Sequence, residues 1–325
     1  MDNKKSIAVA GTVIVDRINE ISAYPKSGEL TQILGVQKAI GGCVPNVALD
    51  LKKICPALPV RVFGRVGEDE DGEFVRNTLT EGGLDVSGLL TDTNAPTSFT
   101  EVMSVTGGQR TFFTYSGASA AFGAEDVDFG DDLPEILHLG YFLLLQKVDD
   151  GDGLQILKNA KAQGIRTSID MVSENSDRYD LVKPCLPYTD YLIINEMEAG
   201  MLTGIEPTNT NLPKIAQALK EMGVREKVII HKPDCAVCLS DAGLTVLPSY
   251  ALPNGYIKGT TGAGDAFCAG ALYGIYENWS DEQILSFASG AAVMALGSAD
   301  ATSGLVPEQK IKAFCSQFSR QNVTV

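Results

Sequence analysis

Late in the chain, Gly259-Thr260-Thr261-Gly262-Ala263-Gly264-Asp265 runs straight into Ala266-Phe267-Cys268-Ala269-Gly270-Ala271-Leu272. Glycine lets a backbone turn inward, and the unpaired N–H groups of a helix start attract anions. Asp265 would lie in that first turn, where the dipole favours its ionised form by roughly 0.3–1 kcal/mol. The stretch therefore offers an anion cradle beside a base, although a tight turn capped by Asp265 has the same pattern. Asp16 interrupts the apolar run Thr12 to Ile18, and a carboxylate there needs partners or a cleft. Gly41-Gly42 with Asn46 opens a helical pattern and also suits a plain strand-to-helix turn. Asn195 and Glu198 have the spacing of a helix cap and first turn. Lys232, in His231-Lys232-Pro233-Asp234, reads either as a point charge for phosphate or as a solvated loop lysine. Cys235-x-x-Cys238 has no second pair at zinc spacing and reads as two strand cysteines facing opposite sides.

These residues need a frame. With 325 residues, 44% of them hydrophobic, the chain can bury the core of one large α/β domain or two smaller ones. A net charge of -15 with no lysine- or arginine-rich block argues against a nucleic-acid partner. The first residues are too short and too polar a stretch for a signal peptide or membrane span, so a cytoplasmic protein is expected, with no membrane partner. Seven scattered cysteines fit reduced thiols.

Periodicity predicts a buried strand at 7–11, continuing to 18, and further strands at 32–37 and 60–67, with helices at 45–54 and 71–79. A hairpin is expected over 98–105 and 110–115, turning at Gly107-Gly108. Beyond it, strands at 136–140, 167–170, 191–194 and 227–231 alternate with helices at 152–163, 196–202 and 213–222. Helices at 266–276, 282–296 and 307–318 close the chain. Such alternation predicts an α/β fold with a doubly wound, mostly parallel sheet and helices on both faces. The core would comprise 1–12, 40–96 and 117–325, and a small β-sheet lid 13–39 and 97–116. Ligands on such sheets bind outside the carboxyl ends of the strands, where the lid would cover them.

The stretch Gly259 to Gly270, read with Gly41-Gly42-x-x-x-Asn46, resembles the two signatures of the ribokinase or PfkB family of carbohydrate kinases. Gly64-Arg65-Val66-Gly67-Glu68-Asp69-x-x-Gly72, the hairpin and Asn195-Glu196-Met197-Glu198 extend the similarity over nearly the whole chain. The resemblance implies a doubly wound core with a β-lid, and transfer of the ATP γ-phosphate to a hydroxyl of a small sugar or sugar-like substrate. It implies Asp265 as general base and the N–H groups of Gly262, Ala263 and Gly264 as the anion hole. Asp16, Gly41, Gly42 and Asn46 carry over as sugar contacts. Asn195 and Glu198 resemble the residues that organise the ATP phosphates and Mg²⁺, with Glu198 acting through water, and Lys232 is a further phosphate candidate.

Three positions depart from the pattern. Gly259 replaces an aspartate that helps shape a monovalent-cation site, which leaves K⁺ dependence open, with carbonyls near 299–303 as other ion ligands. His231-Lys232-Pro233-Asp234 stands where relatives have Thr-x-Gly-x-x-Gly. Ile14 replaces an asparagine that resembles a sugar ligand, which counts against ribose. Ketose, sugar-acid and nucleoside substrates stay open: Arg110 could pair with an anionic sugar, while Phe99, Phe112, Phe113 and Tyr115 either stack on a base or pack the sheet. The rival from another class is a non-catalytic sugar-binding regulatory protein, against which the retained Asp265 argues. Apolar lid edges lead us to expect a homodimer.

Overall fold

The computed structural model describes residues 5–105, 110–174, 176–298, 301–323 and 325. In chain order the strands are β1 (Ile7–Gly11), β2 (Ile14–Ile21), β3 (Ile33–Gly41), β4 (Val60–Gly67), β5 (Asp85–Asp92), β6 (Phe99–Val105), β7 (Arg110–Tyr115), β8 (Ile136–Phe142), β9 (Arg166–Met171), β10 (Tyr191–Asn195), β11 (Lys227–His231), β12 (Cys235–Ser240) and β13 (Gly243–Pro248). The helices are α1 (Cys43–Ile54), α2 (Glu70–Glu81), α3 (Gly153–Ala162), α4 (Glu196–Thr203), α5 (Leu212–Glu221), α6 (Ala263–Tyr276), α7 (Asp281–Leu296) and α8 (Glu308–Cys315).

Nine strands form one sheet in the order β13-β12-β11-β10-β9-β8-β1-β4-β5. It is parallel from β11 to β5, and antiparallel where β12 and β13 extend one edge. Strand alternation splits the core in two: Ile7 and Val9 face α1, α2, α6, α7 and α8, whereas Ala8 and Ala10 face α3, α4 and α5. Cys235 and Cys238 fall in the two different halves, and all seven cysteines are free.

Strand β1 does not continue to residue 18. The chain leaves the sheet at Thr12-Val13, where the Thr12 carbonyl accepts from the Val44 N–H and the Val13 N–H donates to Ser119 Oγ. It then enters a separate four-stranded sheet, β3-β2-β6-β7. Strands β5, β12 and β13, which periodicity does not mark, complete the large sheet. Helices α6 and α1 begin at Ala263 and Cys43, ahead of the expected 266 and 45. The turn expected at Gly107-Gly108 lies outside the described residues.

The small sheet has two distinct faces. Register places Asp16, Thr100, Thr114, Val102 and Phe112 on one face, and Arg17, Val36, Phe99, Phe113 and Tyr115 on the other. Asp71 at the start of α2 fixes this sheet to the core by accepting from Arg17 and Lys38, each at 2.6 Å. Arg65 and Asp69 are engaged within the fold. Arg65 pairs with Asp92 and Asp126, while Asp69 caps α2 at the Gly72 N–H and holds Thr97 just before β6.

Candidate active site

Tyr141, Asp170, Asn195 and His231 stand at or next to the carboxyl ends of β8, β9, β10 and β11, on one edge of the large sheet. Chain order reverses between β1 and β8, so the crevice forms where an open parallel sheet binds ligands. Helix α6 starts above it. Gly262 enters that helix at φ 77°, and a Cβ there would come within 2.5 Å of Ala301 Cα. Only glycine makes this left-handed turn without strain. At Gly264 a Cβ would meet nothing nearer than His231 Cε1 at 3.9 Å, so the backbone is open to a ligand. Ala263 N–H makes a long 3.3 Å bond to the Thr260 carbonyl, and among the described residues no acceptor takes the N–H of Gly262 or Gly264.

Asp265 follows in the first turn and is only 6% exposed. Its Oδ2 accepts from Asn46 Nδ2 at 2.9 Å, and the Tyr141 hydroxyl lies 3.0 Å from both carboxylate oxygens. Burial, reinforced by the charge of Asp170, pushes the Asp265 pKa up to about 7 against the pull of these two donors. A carboxylate with that value accepts a proton effectively near neutral pH. Because Asn46 gives its amide nitrogen to Asp265, its Oδ1 points elsewhere, buried and without a donor among the described residues. A ligand hydroxyl would satisfy it.

Tyr141 is the main functional residue that sequence reasoning misses. Its φ of 59° is left-handed, a conformation costing ~1–3 kcal/mol for such a residue. The Tyr141 N–H donates to Asp170 Oδ1 at 2.6 Å, which holds the turn while the side chain reaches Asp265. Position at a strand's carboxyl end is the sole signal either residue carries in the sequence.

Asp16 lies beside Gly41, where a Cβ would fall 2.5 Å from its Oδ2; a bulkier residue would displace the carboxylate. Burial pushes the Asp16 pKa up to about 6. Gly42, at φ 90°, then turns the chain into α1, which carries Asn46 to Asp265. Asp16 and Gly41 thus meet on the lid, while α1 brings Asn46 to Asp265.

Asn195 and Glu198 form the reciprocal cap of α4. The Glu198 N–H donates to Asn195 Oδ1, and the Asn195 N–H donates to Glu198 Oε2, both at 2.9 Å. Glu198 Oε1 also accepts from Ser173 Oγ and Asn195 Nδ2. Burial pushes this carboxyl up to about 7. With both oxygens already bonded, it suits a hydrated Mg²⁺ reached through water, since this ion keeps much of its water shell. The fit is to an outer-sphere role.

A cavity of about 280 Å³ opens over Asp265, lined also by Tyr141, Asp170, Glu198 and Gly264. A longer one, about 720 Å³, shares Asn195, His231 and Gly264 with it and runs between apolar residues such as Phe267, Val293 and Leu296. This pairing of a polar end at a helix start with an apolar slot fits ATP, phosphates toward Gly264 and base toward Leu296. His231 packs on the Phe267 ring, 4.6 Å between centroids, and burial pushes its pKa down to about 4, leaving it neutral. Lys232 lines the slot, but its ammonium is engaged by Asn209 and Asp234. From the lid, Arg110 Nη1 donates to Thr261 Oγ1 at 3.2 Å, bridging β7 to the glycine loop.

Residues 4–309 match the family model described as pfkB family carbohydrate kinase. A ribokinase of Arabidopsis thaliana is 28% identical over 295 residues, covering 89% of this chain and 76% of that protein. An adenosine kinase of Saccharomyces cerevisiae is 27% identical over 282 residues, covering 84% and 82%. The structure of Arabidopsis thaliana ribokinase complexed with ribose and ATP superposes with a TM-score of 0.82 at 23% identity, over 96% of this chain and 98% of that one. No helix among the described residues is long and apolar enough to cross a membrane. With the family match spanning most of its length and the fold shared throughout, the chain belongs to the pfkB family of carbohydrate kinases.

Proposed function

We propose that this ATP-dependent kinase phosphorylates a hydroxyl group of a small sugar or sugar-like substrate, with Asp265 as general base. The observation that carries the reading is Asp265 itself, held by Asn46 and Tyr141 beneath the open N–H groups of Gly262 and Gly264. Asp16, the Gly41-Gly42 backbone and Asn46 Oδ1 orient the sugar, and Asp265 accepts the hydroxyl proton as its oxygen attacks. ATP supplies the γ-phosphoryl group, which passes to that oxygen as the bond to ADP breaks. The N–H groups of Gly262, Ala263 and Gly264 stabilise the charge on the transferring group, Ala263 by exchanging its weak bond to Thr260. Asn195 and Glu198 would position Mg²⁺ through water, and Lys232 needs release from Asn209 and Asp234 to join them.

Two further readings accompany this. The lid sheets pair in a homodimer, and the seven free thiols fit a reducing, cytoplasmic setting. We also infer activity without K⁺: Gly259 offers no carboxylate, and the Thr302 carbonyl, within the stretch considered for an ion, accepts from Lys53 Nζ at 2.6 Å. Residues 299 and 300 of that stretch lie outside the described residues. A nucleoside substrate is the second reading, favoured by the adenosine kinase similarity and by Phe112 lying on the same lid face as Asp16.

A coupled ATP-consumption screen over ketoses, other sugars, sugar acids and nucleosides, with and without K⁺, tests the proposal. One substrate should raise ATP turnover, and Asp265→Asn should lower kcat on it by ~10²–10⁴-fold. Equal turnover in the variant would remove Asp265 from the base role.

A further inference from the structure

At the floor of the small cavity lies a cluster of which the proposed transfer uses only Asp170, through Tyr141 and Asp265. His138, on β8, shares the strand face of Ile136 and is wholly buried under α1 and α6. Cys43 opens α1, Asp170 is the penultimate residue of β9 and Cys268 lies just over one turn into α6; all three are buried. One ligand atom from each of Cys43, His138 and Asp170 lies within 4.8 Å of the other two. Asp170 Oδ2 stands 3.4 Å from His138 Nε2, and Cys268 Sγ stands 3.6 Å from the same nitrogen. Any side chain at position 140 would occupy the place of the Cys43 sulfur, so Gly140 makes the room.

We propose that Cys43, His138, Asp170 and Cys268 form a buried binding site for a divalent metal ion of the zinc class. The donor set of sulfur, imidazole nitrogen and carboxylate oxygen is that of tetrahedral Zn²⁺. Ligands bound at about 2.0–2.3 Å stand ~3.3–3.8 Å apart. The two contacts to Nε2 already have this spacing; Cys43, His138 and Asp170 reach it by contracting by about 1 Å at most, and Cys268 must move further to join them as the fourth ligand.

The surroundings orient the ligands as an outer shell does. Ser168 Oγ, 3.1 Å from His138 Nδ1, can accept a hydrogen bond from Nδ1–H and so leave the Nε2 lone pair facing Asp170 and the thiols. The Tyr141 N–H fixes the other oxygen of Asp170. With both thiols deprotonated on binding, two thiolates and one carboxylate outweigh the 2+ ion by one negative charge, the same balance as a zinc site with three cysteines and one histidine. Asp170 and Cys268 line the small cavity, so an ion has a route in. Once bound, it would tie together β8, β9, α1 and α6, the elements carrying Tyr141, Asp170, Asn46 and Asp265.

Cobalt(II) titration of the reduced, metal-stripped full chain tests the site. One equivalent should bring up a thiolate-to-cobalt charge-transfer band with tetrahedral d–d bands, and zinc should bleach both. Oxygen ligands alone, such as a magnesium site provides, give no thiolate band. Cys43→Ser and the near-isosteric Asp170→Asn should each lose most of the band, whereas the Cys55→Ser/Cys315→Ser double variant should keep it. Zinc should also raise the melting temperature of the wild type and not of Asp170→Asn. Circular dichroism confirms that each variant is folded, and Asp170→Asn decides if Cys43→Ser is not. Absence of the band in folded wild type, or an undiminished band in folded Asp170→Asn, overturns the proposal.

Discussion

Asp265 owes its character to two opposed influences. Burial and Asp170 favour its neutral form, while Asn46 and Tyr141 donate to it and favour the anion. Tyr141→Phe removes one donor, so the Asp265 pKa should rise from about 7 and the acid limb of kcat/KM should move to higher pH. A shift near one unit lowers activity at pH 6.5 by roughly tenfold, with recovery at pH 9. A uniform loss at all pH values would instead assign Tyr141 to substrate contact. The same balance bears on stability. Asp265's folded value of about 7 lies above its ordinary 3.8, so folding takes up a proton between them. Its contribution to stability is therefore full below about 4 and lost as pH rises through about 7. Asp265→Asn should accordingly melt no lower than wild type at pH 8.

At the scale of elements, the start of α6 joins a backbone turn to the chemistry. Gly262→Ala would place a methyl 2.5 Å from Ala301 Cα at a left-handed φ, so the loop must shift and carry its N–H groups away. We expect kcat to fall ~10²–10³-fold, the effect of losing one anion-hole donor, with the melting transition still cooperative. Full activity in the variant would place the phosphoryl group elsewhere. This turn was legible in the sequence because its demands are local: glycines, a carboxylate and small residues in one stretch. Asp16, Gly41, Gly42 and Asn46 stand out in the sequence as a carboxylate in an apolar run and a glycine pair before a helix, but only the family resemblance gave them a role. Tyr141, Asp170 and His231 were not legible, because their convergence depends on the register of four parallel strands, which no short stretch encodes. Thr12-Val13 shows the converse. An apolar run crosses from one sheet to the other there, and hydropathy does not register the change of partner. Strands β5 and β13 escaped because their exposed positions break the apolar pattern.

At the scale of the whole molecule, the proposed closure of the site and pairing of two chains both turn on the small sheet. Its outer strands carry apolar side chains in solvent: Val36 is 69% exposed, Phe112 60% and Phe113 59%. Phe112 and Phe113 are successive in β7 and point to opposite faces. Phe112 shares its face with Asp16 and so looks toward the substrate path, whereas Phe113 and Val36 share the other. That second face sets these apolar side chains beside the charged Arg17, Lys38 and Glu101, and its exposed apolar part, bounded by sheet edges, is the kind of surface proteins cover to avoid open-ended association. A second lid can cover it, giving a closed twofold dimer despite the acidic charge of each chain. Light scattering at micromolar concentration should therefore report a dimer, and Val36→Asp with Phe113→Asp should yield a monomer with the same melting temperature. If the pairing also holds the lid over the sugar, the monomer's KM for sugar should rise several-fold while its KM for ATP stays put, because the ATP slot is built from the core alone. A wild-type chain that stays monomeric at those concentrations would leave the face to some other contact, and the lid would then close through Asp71 and Arg110 within a single chain.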